Sequence, residues 1–251
     1  MDSLERNIRH AVASAEVFRE ARPLPSAEEE REVFVLSADG KGVLMRRGPG
    51  DPAPKAHRGK GDKADKKRMA VVGAAYSVDR HGRTPEEVAT ALFRDPRVPG
   101  AEKGKRPVPV GKHLWARLSR AADGNLAEPM DAVSGWLKAE MDRRGGPGPK
   151  EMVCVMDGQE ALWEGRRRHF GEGPAEILDL LHVLPRLWQA AHLFEKEGSA
   201  EAACFVRERL LRVLRGESKG VVQGLRRLGT MRALAGKKAK DLKRICEYLE
   251  K

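Results

Sequence analysis

Two aspartates in this sequence, each followed by glycine, stand at the ends of short apolar runs. Asp39 ends the run in LSADGKG, and Asp157 ends the run in CVMDGQE. A carboxylate at the C-terminal end of a strand projects into the crevice where open α/β sheets bind ligands. Two such carboxylates on neighbouring strands could hold Mg²⁺ or Mn²⁺, and paired metal ions activate a water or a 3′-hydroxyl against a phosphodiester. The alternative for either residue alone is an Asp-Gly turn that simply ends a strand.

A second group of candidate residues, an aspartate and a histidine, lies at the start of a predicted helix. Asp179 and His182, in ILDLLHVLPRLW, are three positions apart, so their side chains would share one face of that helix. Considered alone, the pair is better explained as a helix N-cap and a hydrogen-bonded, half-buried imidazole. It gains a functional meaning only beside the two Asp-Gly sites.

The strands that would present these carboxylates can be read from the apolar pattern. Residues 33–45 predict a hairpin whose first strand carries Asp39 at its end and whose second strand begins at Val43. The apolar stretch at 114–118 is too short to assign. Further strands are predicted at 69–76, at 152–156, which suits a strand buried on both faces, and at 175–178.

Helices are predicted between and after these strands. Thr84, Pro85 and Glu87 form a strong start signal, because threonine caps, proline suits the first helical position and glutamate closes a capping box. Apolar residues at every third or fourth position predict a helix over 129–144. Other helices are predicted at 160–169, after Asp179 and throughout 199–251.

The pattern as a whole predicts an α/β fold, with a mixed sheet flanked by helices and followed by an all-helical extension. Residues 1–30 are expected to form a short N-terminal helix and a linker, since Leu4, Ile8, Val12 and Val17 follow helical spacing and Pro23 ends it. The sheet domain is placed at 31–197 and the basic helical segment at 198–251.

Charge indicates an acidic partner. The 251 residues include 48 Lys+Arg against 37 Asp+Glu, a net charge of +11, which suits nucleic acid. The alternative is a protein that is basic without binding DNA. The candidate phosphate contacts are Arg226, Arg227, Lys237, Lys238 and Lys240.

Several other classes of protein are excluded. No stretch approaches the ~20 apolar residues of a membrane-spanning helix, and no GxxxxGK[ST], GxSxG or HExxH motif occurs. Cys154, Cys204 and Cys246 lie far apart and have apolar neighbours, so we expect reduced, buried thiols in a cytoplasmic protein.

In order along the chain, five blocks resemble insertion-sequence transposases of the ISKra-like group, within the Mutator-like branch of DDE transposases. The blocks are ADGKGVLMRR, RMAVVGAAYSVD with RTPEEVATALFRDPR, VCVMDGQEALWEGRRRHF and ILDLLHVLPRLWQAAHLF. The resemblance runs from about residue 15 to the end. Its most specific part is VMDG…ALW followed closely by ILD-x-x-H.

The resemblance implies an RNase H-like fold whose first strand carries one catalytic aspartate and whose fourth carries the second. These roles fall on Asp39 and Asp157, which would hold Mg²⁺ or Mn²⁺. Asp179 and His182 would be an accessory pair that positions the site without binding metal. The implied partners are double-stranded DNA, as transposon ends and as target, and a second copy of the chain in a homodimer of the full-length form.

One element of the family pattern is missing from the sequence. The resemblance implies a catalytic glutamate in a final helix, in a segment like G-S-G-x-x-E, and no such segment occurs before Lys251. We therefore expect a truncated catalytic core that is inactive alone. The alternatives are a non-catalytic DNA-binding remnant, or another RNase H-like nuclease such as a Holliday-junction resolvase.

Overall fold

The computed structural model describes residues 14–15, 17–44, 67–93, 106–119, 128–144 and 151–250. Residues 17–21 are helical and the helix ends before Pro23, as predicted. Leu4, Ile8 and Val12, the other apolar residues of that predicted helix, lie outside the described residues.

Besides the helical residues 17–21, five strands and seven helices are described. The strands are β1 (Val33–Leu44), β2 (Lys67–Val78), β3 (Val110–Leu118), β4 (Glu151–Met156) and β5 (Ala175–Leu178). The helices are α1 (Pro85–Leu92), α2 (Pro129–Arg143), α3 (Glu160–Phe170), α4 (Leu180–Ala191), α5 (Ala200–Leu214), α6 (Ser218–Met231) and α7 (Gly236–Leu249).

The strands form one mixed sheet in the order β3-β2-β1-β4-β5. β2 pairs antiparallel with both β1 and β3. β4 begins beside the start of β1, where the Glu151 amide donates to the Glu32 carbonyl (3.2 Å). The α/β architecture, with a mixed sheet flanked by helices, is therefore confirmed, and the first and fourth strands are neighbours.

The hairpin predicted within 33–45 is wrong. β1 is a single strand through Asp39 and Gly40, which lie opposite Val72 and Val71 of β2. The reason is the length of β2, whose backbone pairs with β1 residue by residue from Val33 to Leu44 and overrides the turn tendency of Asp-Gly. Asp39 thus lies inside a long strand and not at its end.

Contacts between residues divide the chain into two units, and the division falls inside β4 and β5. The first comprises Met1–Asp79, Val108–Val155 and Ala161–Glu176, and the second comprises Arg80–Pro107, Met156–Glu160 and Ile177–Lys251. The predicted domain boundaries after residues 30 and 197 stay predictions.

In the first unit, α2 packs on the face of the sheet that Gly73 presents. A Cβ at Gly73 would lie 2.7 Å from Val133 Cγ1 of α2, so the glycine is what allows this close approach. The Trp115 and Trp136 rings meet beside it, with centroids 5.9 Å apart. Alternate side chains of a strand point to opposite faces, so Asp39, which lies opposite Val72, is on the face away from α2.

The second unit has a helical core. Buried apolar side chains of α4 to α7 pack together, and Ala89 of α1 joins them. α1 begins as predicted, with Thr84 and Glu87 in a complete capping box. The completely buried residues of this core include Leu187, Val206, Leu210 and Leu225.

The thiol prediction is correct for two cysteines and wrong for one. Cys154 and Cys246 are free and buried, whereas Cys204 is free and exposed on the outer side of α5, 3.5 Å from Glu208 Oε1. Burial raises the pKa of Cys154 to about 11. Across the described ranges, no helix is both long enough and apolar enough to cross a bilayer.

Candidate metal centre

Asp39 is exposed in the middle of β1. Its side chain lies on the face of the sheet away from α2, across from Val72, which is itself 45% exposed. Asp39 is therefore suited to bind a ligand from solvent.

Asp157 follows the last residue of β4 and is buried, with 8% of its surface exposed. Its Oδ1 accepts a hydrogen bond from the Gln159 amide (2.7 Å). This contact closes a tight turn of the kind that Asp-Gly favours. The turn interpretation and the ligand interpretation are therefore compatible, because the turn fixes the direction of the carboxylate.

Asp179 caps α4 and also orients His182. One oxygen of its carboxylate accepts from the Leu181 amide (2.9 Å), and the other lies 3.2 Å from Nδ1 of His182. The Asp179 amide donates to the Met156 carbonyl (2.8 Å), so the start of α4 is joined to the end of β4. The predicted N-cap is confirmed, and the cap brings His182 to the same end of the strand as Asp157.

Asp39, Asp157 and His182 come together. Each offers a ligand atom, and the three atoms lie within 4.8 Å of one another. Two carboxylates and an imidazole are a donor set that divalent transition metals accept, and the carboxylate oxygens suit Mg²⁺ and Mn²⁺. These three residues therefore lie close enough to hold a metal ion.

His182 is thus closer to the candidate ligands than its expected accessory role implied. An Nδ1–H donated to Asp179 puts the imidazole lone pair on Nε2, and a carboxylate behind a histidine is the usual support of a metal-ligating imidazole. The three-residue spacing in D-x-x-H was the signal for this pairing. Nothing in the sequence alone distinguished a ligand from a positioning group.

Tyr248 of α7 is a neighbour of Asp157 that the sequence did not reveal. Its hydroxyl oxygen accepts from the Gly158 amide (3.2 Å), and the guanidinium of Arg186 lies 4.7 Å from its ring centroid. Burial raises the pKa of the Tyr248 phenol, and the charges of Asp157 and Asp179 add to the increase against the opposing effects of the Gly158 amide and Arg186. The phenol is therefore neutral at physiological pH.

The candidate phosphate contacts are all exposed. Arg226 and Arg227 are on α6, and Lys237, Lys238 and Lys240 are on the first two turns of α7. Arg226 also forms an ion pair with Glu250 (2.8 Å). No family model, curated protein or solved structure matches the chain.

Proposed function

We propose that this chain is the catalytic core of a metal-dependent DNA transposase, which cleaves phosphodiesters and transfers strands at the ends of an insertion sequence. The observation that supports it most is the gathering of Asp39, Asp157 and His182, with ligand atoms within 4.8 Å. The ordered resemblance of the sequence blocks supplies the reaction class and the DNA substrate. The net charge of +11 agrees with a polyanionic substrate.

The proposed cofactor is Mg²⁺, or Mn²⁺ in its place. Such an ion, when bound, neutralises phosphate charge and makes a water or a 3′-hydroxyl a better nucleophile. Asp39 and Asp157 would hold it through carboxylate oxygens. His182, which the resemblance treats as accessory, is a candidate third ligand, and its imidazole favours Mn²⁺ more than Mg²⁺.

The residues around the ligands have separate tasks in this proposal. The Gln159 amide holds one oxygen of Asp157, which limits the rotation of that carboxylate. Asp179 fixes the ring of His182. Ligands held in one geometry before the cation arrives lose less conformational entropy on binding, which favours tight and specific binding.

The RNase H-like fold belongs to the same proposal. It requires that the first and fourth strands be neighbours, so that their aspartates meet. The strand order β3-β2-β1-β4-β5 supports this requirement. The homodimer and the recognition of double-stranded transposon ends follow from the resemblance alone and are proposed with it.

A non-catalytic DNA-binding protein is the second candidate function. The observation in its favour is the exposure of all five basic residues of α6 and α7 considered above. A phosphate-binding surface needs no metal and no complete catalytic set. The catalytic function predicts cleavage and joining of DNA that depend on Asp157, whereas the non-catalytic function predicts DNA binding without either reaction.

Uptake of Mn²⁺ by the whole chain, followed by electron paramagnetic resonance of the free ion, tests the metal site. We expect wild-type protein to bind Mn²⁺. The Asp157→Asn variant should bind it at least roughly tenfold more weakly, since changes to a metal ligand or its supporting groups typically reduce affinity by that much. The control is Asp142→Asn, which removes an exposed carboxylate of α2 that pairs with Lys138. That variant should bind Mn²⁺ as the wild type does.

The reaction class is tested by joining the 3′-hydroxyl of a labelled oligonucleotide to plasmid DNA in Mn²⁺ buffer. Because no G-S-G-x-x-E segment occurs in the sequence, the chain alone should give little or no joined product. A chain extended by such a segment should give joined product that is lost in Asp157→Asn. Nicking without joining would assign a nuclease instead. DNA binding without Mn²⁺ uptake would reject the catalytic proposal and leave the DNA-binding candidate.

A further inference from the structure

We propose that Tyr248 is a positioning residue for Asp157. It holds the Asp-Gly turn after β4 in the conformation that directs the Asp157 carboxylate towards the other two candidate ligands, Asp39 and His182. The inference rests on the proposed function, because it assigns a support to the same site. It concerns α7, which the sequence predicts only as part of a basic helical segment.

The first support is the hydrogen bond from the Gly158 amide to the Tyr248 hydroxyl oxygen, at 3.2 Å. Gly158 directly follows Asp157, and the next amide, that of Gln159, donates to Asp157 Oδ1 (2.7 Å). The two successive amides are thus held by different partners. A shift of the Gly158 peptide would move the Gln159 amide and release the carboxylate oxygen that it holds.

The second support is the contact between the tyrosine ring and the glycine. A Cβ at Gly158 would lie 2.7 Å from Cζ of Tyr248 and closer still to Cε2. The ring therefore occupies the space that any other residue at 158 would need. The glycine of CVMDGQE is explained by this close approach, since its φ does not lie in the left-handed region.

The third support is Arg186, whose guanidinium lies over the Tyr248 ring, 4.7 Å from the centroid. Arg186 is four residues after His182, so the two side chains share a face of α4. The Tyr248 ring thus contacts the turn that carries Asp157 and the helix that carries His182. Ile245 and Leu249, close to Tyr248 on α7, are buried in the helical core, and Tyr248 packs against that core, which anchors the tyrosine.

A purely structural role makes a different prediction. If Tyr248 only fills space, Tyr248→Phe keeps the ring, the contact with Arg186 and the packing, and Mn²⁺ affinity is unchanged. If the hydroxyl oxygen positions the turn, the same variant leaves the Gly158 amide without its acceptor. Loss of a group hydrogen-bonded to a metal ligand typically costs roughly 10–100-fold in metal affinity. Tyr248 acts on the residue next to the ligand, so we expect the lower end of that range, roughly tenfold.

The experiment measures Mn²⁺ affinity by electron paramagnetic resonance, and amide hydrogen exchange at Gly158, in wild-type protein and in Tyr248→Phe. We expect roughly tenfold weaker Mn²⁺ binding and faster exchange of the Gly158 amide, with an unchanged circular dichroism spectrum. Tyr76→Phe is the matched control, because Tyr76 is the other tyrosine of the chain and lies on β2. It should alter neither quantity.

A double-mutant comparison separates the ring contact from general damage. Gly158→Ala should weaken Mn²⁺ binding in the wild type and have little further effect beside Tyr248→Ala, where the ring is absent. Mn²⁺ affinity of Tyr248→Phe within twofold of wild type, or unchanged exchange of the Gly158 amide, overturns the inference and leaves the metal site standing. Absence of Mn²⁺ binding by wild-type protein overturns the proposed function, and the inference with it.

Discussion

Among the histidines that lie beside carboxylates, His182 and His113 have surroundings that give them different chemistry. His182 is 39% exposed, with Nδ1 at 3.2 Å from Asp179, and it faces two further ligand groups. His113 is 3% exposed, with Nδ1 at 2.6 Å from Glu140 of α2. The exposed imidazole can accept a cation, whereas the buried one serves the packing of α2 on the sheet.

The buried histidine predicts a pH dependence of stability. Burial lowers the pKa of His113 below its ordinary value of 6.5, and the charges of Arg22 and Arg144 oppose its protonation further, against the attraction of Glu140. The unfolded chain therefore takes up a proton at a higher pH than the folded chain does. The free energy of unfolding should be greatest above pH 6.5 and fall as the pH is lowered below that value, by at most about 1.4 kcal/mol per pH unit from this group.

Urea unfolding at pH 7.5 and pH 5.5 measures this effect, with His113→Gln as the test variant, since glutamine can still donate to Glu140 but does not titrate. The variant should lose less stability between the two pH values than wild-type protein. His81→Gln, at an exposed position, should behave like the wild type. An equal pH dependence in all three proteins would contradict the assignment to His113.

The contact of α2 with β2 shows how one residue sets the spacing between two elements. Gly73 lies within 3.4 Å of Leu137, 3.3 Å of Trp136 and 2.7 Å of Val133 when a Cβ is placed on it. All three are side chains of one helix, and Leu137 and Val133 are completely buried. A methyl group at position 73 would have to push α2 away from the sheet.

Gly73→Ala should therefore lower the free energy of unfolding by about 1–3 kcal/mol, the usual cost of overpacking a well-packed core. Gly82→Ala is the matched control, because no atom lies within 4 Å of a Cβ placed there. Chemical denaturation of the three proteins measures the difference. Equal stability of the two variants would show that α2 does not pack on Gly73 as described.

Elements with strong local signals were predictable from the sequence, and elements defined by pairing were not. The capping box of α1, the apolar run of β4 and the Asp179 cap of α4 each depend on neighbours within a few residues. β1 and β3 depend on β2, which lies between them. β1 contains turn residues, and β3 alternates between buried and exposed side chains, with His113 buried and Leu114 54% exposed. Both segments can be recognised as strands only when their pairing with β2 is known.

The candidate site shows the same limit at the scale of the whole molecule. Asp39, Asp157 and His182 were individually identifiable, because each stands at a recognisable place in its motif. Their convergence depends on the sheet order, which the sequence does not state. Tyr248 stands 91 positions after Asp157 in a helix without any catalytic motif, so its contact with the Asp-Gly turn required the fold.

The charge of the molecule leads to a final prediction, which separates DNA binding from catalysis. Lys237, Lys238 and Lys240 are exposed at the start of α7, where each phosphate contact would release condensed counterions. Reversal of the three lysines to glutamate should weaken binding of a double-stranded oligonucleotide. It should also reduce the slope of log affinity against log salt by about 2–3, roughly one for each lost contact.

Fluorescence anisotropy from 50 to 200 mM salt is the measurement. The control reverses Lys112, Lys138 and Lys196, so that the net charge falls equally while the start of α7 is intact. If both triple variants reduce the slope of log affinity against log salt by the same amount, DNA responds to the net positive charge of the whole protein, and α7 is not a specific phosphate-binding surface. If only the α7 variant reduces the slope while its Mn²⁺ affinity stays at the wild-type level, DNA is held by residues other than those of the metal centre.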